Sequence, residues 1–332
     1  MTARPNSRPD LRYPLVDNGL DYLLDVVGRL ATGPGEQPVA RDLKYAVLHL
    51  QAATEVLLKA RLQQEHWSLV FDNPATATRK TFDSAAFTSC TTEAAFERLR
   101  NIVGLDLPAK GITAVTRLAR DRNALTHYGL TQPAAAVETR AADVLNFLLP
   151  FLAQHLMPAL APGERTRAEQ TMTVVHAQLR GIEAYIRTRM NDLRAGLAKV
   201  ADTTVTCPVC AQPALVLAAD ADPTCRFCLM TWPDTEEAAA EYSWIVTGEV
   251  SSTDPDPEDP VQHCPNCSAR SLVMKVTTAA SAPQTRRLCF ACADDFTDTD
   301  FTACAYGCGR LLPVDTEETL CPACIGVPFE RN

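Results

Sequence analysis

Twelve of the thirteen cysteines in this 332-residue chain fall in six close pairs, all beyond residue 206. The pairs are Cys207/Cys210, Cys225/Cys228, Cys264/Cys267, Cys289/Cys292, Cys304/Cys308 and Cys321/Cys324. A Cys-x-x-Cys turn presents two thiolates to one ion, and two such turns complete a tetrahedral zinc site. Twelve ligands fill three four-cysteine sites with none left over, so His263, beside Cys264, is not needed as a ligand. The expectation is about three structural Zn2+ per chain and no catalytic metal, because four protein ligands leave no position for a substrate water. Disulfides are the alternative. Paired Cys-x-x-Cys in a chain whose first residues, MTARPNSRPD, carry no apolar secretory segment is the pattern of a metal binder.

Two connectivities are open. Sequential pairing closes three small modules, the first with a 14-residue spacer between Cys210 and Cys225. A cross-brace would instead join Cys264/Cys267 to Cys304/Cys308 and Cys289/Cys292 to Cys321/Cys324. The spacers CPVC, CRFC, CPNC and CPAC resemble zinc-ribbon knuckles. Sequential modules would occupy residues 201–250, 263–298 and 299–332. An acidic linker at 251–262, containing SSTDPDPEDP, is expected to be flexible and solvated. Segments this short cannot build a core, so the metal supplies their folding free energy.

The first two hundred residues differ in kind. They hold 24 Lys/Arg against 20 Asp/Glu, whereas residues 201–332 hold 7 against 20. Phosphate neutralisation dominates nucleic-acid affinity, so the first part can attract RNA and the tail repels it. Two roles are open for the tail's acidity: solubility, or competition with RNA for the basic part. Residues 1–17 are expected to be disordered, and residues 18–160 to form an all-α helical bundle. Leu20, Leu23, Leu24, Val27 and Leu30 recur at helical spacing, and Leu43, Val47, Leu50, Leu57, Leu58 and Leu62 line one face of a helix from Val39 to His66. A polar loop is expected over 72–92, then helices at Glu93–Val103, Ile112–Thr126 and 134–157. A connecting helix over 163–200 carries Val175, Leu179, Ile182, Ile186, Met190, Leu193, Leu197 and Val200 three or four residues apart. It reads either as a linker laid on the bundle or as a dimerising coiled coil. The fold expected is therefore an all-α bundle, a long helix and small zinc-ribbon domains. No apolar run is long enough to span a bilayer, so a cytoplasmic location without membrane contact is the expectation.

The helix ending at 127 carries DRNALTHYGL, with Arg122, Asn123 and His127 in an R-N-x-x-x-H string. Alone, that spacing is common in surface helices, and a His in a last turn interacts well with the helix dipole. In an all-α bundle, after an upstream helix reading HLQAATEVLLKARL, it resembles the HEPN superfamily over residues 18–156. The H-x-Y ending of some HEPN toxins is absent, since Tyr128 follows His127 directly. The resemblance implies a metal-independent endoribonuclease of toxin or antiphage type that acts as a homodimer on RNA, with a protein regulator or antitoxin as a further partner. Arg122, Asn123 and His127 are then the catalytic residues. His127 can exchange a proton near neutral pH, and Arg122 can meet the charge developing on phosphate. A HEPN scaffold that binds RNA or protein without cutting is the competing reading, and a transcription-associated zinc-ribbon protein the third.

Glu55 and Lys59 form an i,i+4 pair on the upstream helix and read as structural, as does His49. Cys90 stands apart from the pairs and reads as a small buried residue.

Overall fold

A computed structural model describes residues 11, 13–33, 35–252, 256–314 and 319–325. The chain divides into two compact units, one ending at Thr188 and one beginning at Arg189.

The first unit is helical. Its long elements are α1 (Leu15–Leu30) and α2 (Ala40–Glu65), followed by a short α3 (Arg79–Asp83) and then α4 (Thr92–Asn101). After these come α5 (Ala109–His127), α6 (Ala134–Phe151) and α7 (Pro162–Gln178), while α8 (Glu183–Leu197) carries the chain into the second unit. The apolar spacing in α2 is satisfied as read, since Leu43, Val47, Leu50, Leu57, Leu58 and Leu62 are all buried. Gly111 lets α5 approach α6 closely: a Cβ there would lie 2.3 Å from Cδ2 of Phe147. A π turn over Leu152–Leu156 follows α6 just after Pro150, whose ring removes one backbone donor from the ladder.

Three expectations are corrected here. Helix α1 begins at Leu15 with Val16 buried, inside the stretch expected to be disordered; residues 1–10 and 12 lie outside the described residues. The segment 72–92 is no plain loop. It contains α3, and its Phe82 and Phe87 stack with Phe71, the Phe71–Phe87 centroids 4.0 Å apart. Arg98 fixes its entry by donating to the carbonyls of Leu69, Phe71 and Asp72 at 2.6, 2.5 and 2.7 Å. The connecting helix over 163–200 breaks in a 3₁₀ turn at Leu179–Gly181, and Val175, Leu179 and Ile182 are buried. Those side chains are spent inside the fold, which favours the linker reading of this helix over the coiled coil.

The second unit is built on short antiparallel strands. Strands β1 (Thr204–Thr206), β2 (Pro213–Ala218) and β3 (Ala221–Cys225) form one sheet in sequential order, followed by α9 (Thr235–Tyr242). Strands β4 (Val261–Gln262), β5 (Leu272–Val276) and β6 (Arg286–Cys289) form a second sheet, and β7 (Phe301–Ala303) pairs with β8 (Leu311–Pro313). The linker does not hold the first two modules apart. Thr204 O accepts from Ala279 N at 2.8 Å, Val205 bridges Thr278, and the Tyr242 and Phe290 rings lie 5.2 Å apart. Within the linker itself Asp259 is buried rather than solvated. Its carboxylate accepts from Ser251 Oγ at 2.8 Å, Ser252 N at 2.6 Å and Val261 N at 2.9 Å, and Arg270 lies 3.3 Å away. Four donors compensate a charge that would otherwise be costly to bury.

Candidate functional site

The first four cysteine pairs sit on one repeated turn. In the first four pairs, the residue after the second cysteine has positive φ: Ala211, Leu229, Ser268 and Ala293, at 59°, 68°, 64° and 59°. Its N–H donates to the carbonyl of the first cysteine of its pair, at 2.9, 2.8, 2.9 and 3.0 Å in chain order. The first cysteine's own N–H then donates to the carbonyl of the residue after the positive-φ one, Gln212, Met230, Ala269 or Asp294. The fifth pair places Gly309 in the same left-handed region, at φ 79°. A left-handed residue reverses the chain, so both thiols face one point; for alanine or leucine that costs about 1–2 kcal/mol. This device is absent from the cysteine spacing alone. Only the fifth pair signals it, through its glycine.

Sequential pairing is what the structure adopts. The tetrads are Cys207/Cys210/Cys225/Cys228, Cys264/Cys267/Cys289/Cys292 and Cys304/Cys308/Cys321/Cys324, the sulfurs of each within 4.8 Å of one another. The Sγ–Sγ distances are 3.8 Å for Cys207–Cys228, 3.7 Å for Cys210–Cys225, 3.6 Å for Cys264–Cys292, 3.7 Å for Cys267–Cys289 and 3.6 Å for Cys308–Cys321. A tetrahedron with Zn–S bonds of about 2.3 Å has edges of about 3.8 Å. Disulfide sulfurs would stand about 2.05 Å apart. The donor set therefore fits a four-thiolate metal ion, and three such sites among the described residues use all twelve paired cysteines. His263 is not a member; its Nδ1 lies 3.2 Å from Ser268 O, to which it can only donate.

Crowding separates the thiols electrostatically. Hydrogen bonds from Cys210, Cys225 and Cys228 draw Cys207 far below the usual thiol range, and Cys207 in turn pushes Cys225 and Cys228 far above it. In the second tetrad the Cys264 thiol holds Cys289 down at about 5. Four thiolates so close repel one another, so all ionise together only around a cation. Closed four-cysteine centres hold structure; they offer no site for substrate.

The end of α5 is the second candidate. Tyr128 N and Gly129 N both donate to Ala124 O, at 3.0 and 2.6 Å, and Gly129 has φ 89°, which ends the helix. Asp121 is buried and pairs with Arg140 of α6, while Arg140 also donates to Gln132 Oε1, so this end is clamped to its neighbour. Arg122 is half-buried and donates from Nη1 to Asn123 Oδ1 at 3.1 Å. Asn123 and His127 are exposed, and His127 has no hydrogen-bond partner among the described residues. Along an ideal helix Arg122 and His127 lie about 140° apart in azimuth and about 7.5 Å apart in rise. One chain therefore does not bring the two together on one face. The same geometry sets Arg120 about 20° from His127 and Asn123 about 40° from it. Arg117 and Arg120 are exposed too, so the His127 face is basic.

The other sequence candidates are structural. Lys59 is buried and donates to Glu55 Oε1 at 2.5 Å and Ser89 Oγ at 2.8 Å, tying the 72–92 segment to α2. His49 Nδ1 pairs with Asp25 at 2.5 Å and packs near the Tyr22 and Tyr45 rings. Burial pushes the Cys90 thiol up, away from the thiolate a nucleophile needs. Among the described residues no helix is long and apolar enough to cross a membrane. No family model, curated protein or solved structure matches the chain.

Proposed function

We propose that the helical unit is a metal-independent endoribonuclease of HEPN type, and that the three tetrads hold structural zinc in a tail that targets or regulates it. The observation that carries the reading is the exposed end of α5. There Asn123 and His127 stand exposed on a basic face, with Arg122 about one and a half turns before His127. The catalytic steps need a base for the 2′-hydroxyl, a cation for the phosphorane charge and an acid for the leaving 5′-oxygen. In this reading His127 accepts the 2′-hydroxyl proton as that oxygen attacks phosphorus. Arg122 meets the phosphorane oxygens, Asn123 positions the Arg122 guanidinium, and the 5′-oxygen leaves with a proton. The products are a 2′,3′-cyclic phosphate and a 5′-hydroxyl. Because Arg122 and His127 diverge around α5, a symmetric dimer is the economical arrangement: the partner supplies the second histidine, and facing motifs form the cleft. A cytoplasmic toxin or antiphage role, held by a protein regulator, follows from the same reading.

The divergence of Arg122 from His127 also favours the second reading, a scaffold that binds RNA without cutting it. Purified protein incubated with mixed RNAs in EDTA separates the two. The nuclease reading expects cyclic-phosphate ends, lost in His127→Ala and in Arg122→Ala with unchanged circular dichroism. RNA binding with no cutting under any condition selects the scaffold.

A further inference from the structure

The three tetrads are unequal in shielding. All four cysteines of the first are buried, and in the third only Cys308 is less than fully buried. The second contains Cys267, the one exposed cysteine among the thirteen, and Cys292, which is half-buried. A carboxylate also presses on this centre, since Asp294 Oδ2 lies 3.2 Å from Cys292 Sγ. When Cys292 is a thiolate ligand that is a contact between like charges, and it weakens the hold on the metal. Asn266 Nδ2 donates to the same carboxylate at 2.8 Å and keeps it in place. Cys289 Sγ has Ala291 N at 3.4 Å and Ser271 Oγ at 3.5 Å, and backbone N–H groups also reach Cys264, from Asn266 and Cys267, and Cys292, from Asp294. Cys267 receives none among the described residues.

We infer that Cys267 is a site of covalent oxidation by peroxide-class oxidants, and that the second tetrad is the first of the three to release its metal. This rests on reading the tetrads as metal centres. Reaction at a thiolate requires access and electron density at sulfur, and this centre offers both. In the first step the Cys267 sulfur attacks one peroxide oxygen, the O–O bond breaks, and hydroxide leaves and is protonated to water. Sulfur is oxidised to a sulfenic acid. Cys289 Sγ stands 3.7 Å away across the centre, on the opposite knuckle. It attacks the Cys267 sulfur, the S–O bond breaks, and a second water forms after protonation. One peroxide has accepted two electrons and one disulfide has formed. The metal then keeps two of four ligands and leaves.

The release has a structural consequence inside this unit. Cys289 ends β6, and the next residue, Phe290, packs on Tyr242 while its N–H donates to Ser271 O at 2.8 Å. Drawing Cys289 toward Cys267 pulls on the seam between the first two modules.

The test uses the full-length chain loaded with zinc, its metal content measured before oxidation. Fewer than three zinc ions at that point would refute the metal-centre reading itself. Hydrogen peroxide is then added in substoichiometric steps, with a metallochromic dye reading released zinc and peptide mass mapping reading the cysteines after iodoacetamide quench. The expected result is release of the first zinc equivalent in step with a Cys267–Cys289 disulfide, while the eight cysteines of the first and third tetrads stay unoxidised. Before oxidation, iodoacetamide should label Cys267 at least tenfold faster than any cysteine of the first tetrad. Asp294→Asn, which removes no ligand, should slow release of the first equivalent. Simultaneous release from all sites, earlier release from another tetrad, release without change at Cys267, or an unaltered rate in Asp294→Asn overturns the inference.

Discussion

Gly111 and Gly163 show how far one residue's meaning depends on what lies across from it. Both sit in helices, where glycine costs about 1 kcal/mol relative to alanine. Around Gly163, in the first turn of α7, a Cβ would meet nothing within 4 Å. Gly163→Ala should therefore leave thermal stability unchanged or raise it slightly. At Gly111 the new Cβ would fall 2.3 Å from Phe147, itself buried, so α5 and α6 must part. Overpacking of this kind costs about 1–3 kcal/mol, which outweighs the propensity gain. A denaturant midpoint for Gly111→Ala that stays at or above the parent value would contradict this packing. The same logic governs the knuckles. Ala211 and Ala293 stand at positive φ because the turn requires it, and no local preference of alanine announces this.

Among the helices, α1 and α2 are joined by a polar seam as well as by leucines. Asp25 on α1 accepts from Arg29 Nε at 2.6 Å and pairs with His49 of α2 at 2.5 Å, and Arg29 also reaches Asp42 at 3.2 Å. Burial raises the Asp25 pKa, but the hydrogen bonds from Arg29 and His49 outweigh it, and the carboxyl lies below its usual range. A carboxyl depressed in the folded state contributes stability that is present above its unfolded pKa of about 3.9 and lost as pH falls through the folded value. Asp25→Asn should accordingly destabilise the helical unit at pH 7, with the difference from the parent beginning to shrink near about pH 4 and vanishing only as pH falls through the lower folded value. Its size should stay under about 1 kcal/mol, because the side chain is 37% exposed and solvent screens the pair. A deficit that persists unchanged at pH 3 would assign the effect to packing instead.

On the scale of the whole molecule, two units hold together by different physics. The helical unit buries leucine faces, while the strand modules have small apolar clusters gathered around cysteines, such as Leu272 and Phe296 with Cys264 and Cys289. Removing one ligand should therefore act locally. Cys207→Ser is expected to lower zinc content from about three ions per chain to about two. Helical circular dichroism should be retained, and its collapse together with metal loss would show that the units do not fold separately. Cysteine spacing and leucine periodicity determined the number of cysteine tetrads, their twelve members and the helical character of the first unit, because pair spacing and amphipathic period are local properties of a chain. Sequential pairing over cross-bracing was decided only in three dimensions, since both satisfy four ligands per ion. So were the docking of the first two strand modules, through Thr204 with Ala279 and Tyr242 with Phe290, and the burial of Asp259, which the sequence presents as one more acid in a polar run. The Arg122–His127 string and its divergence around α5 were both legible, since five residues of helix turn through about 140°, whereas the clamp of Asp121 to Arg140 was not. Which side chains converge is a property of tertiary packing, and residue spacing alone cannot specify it.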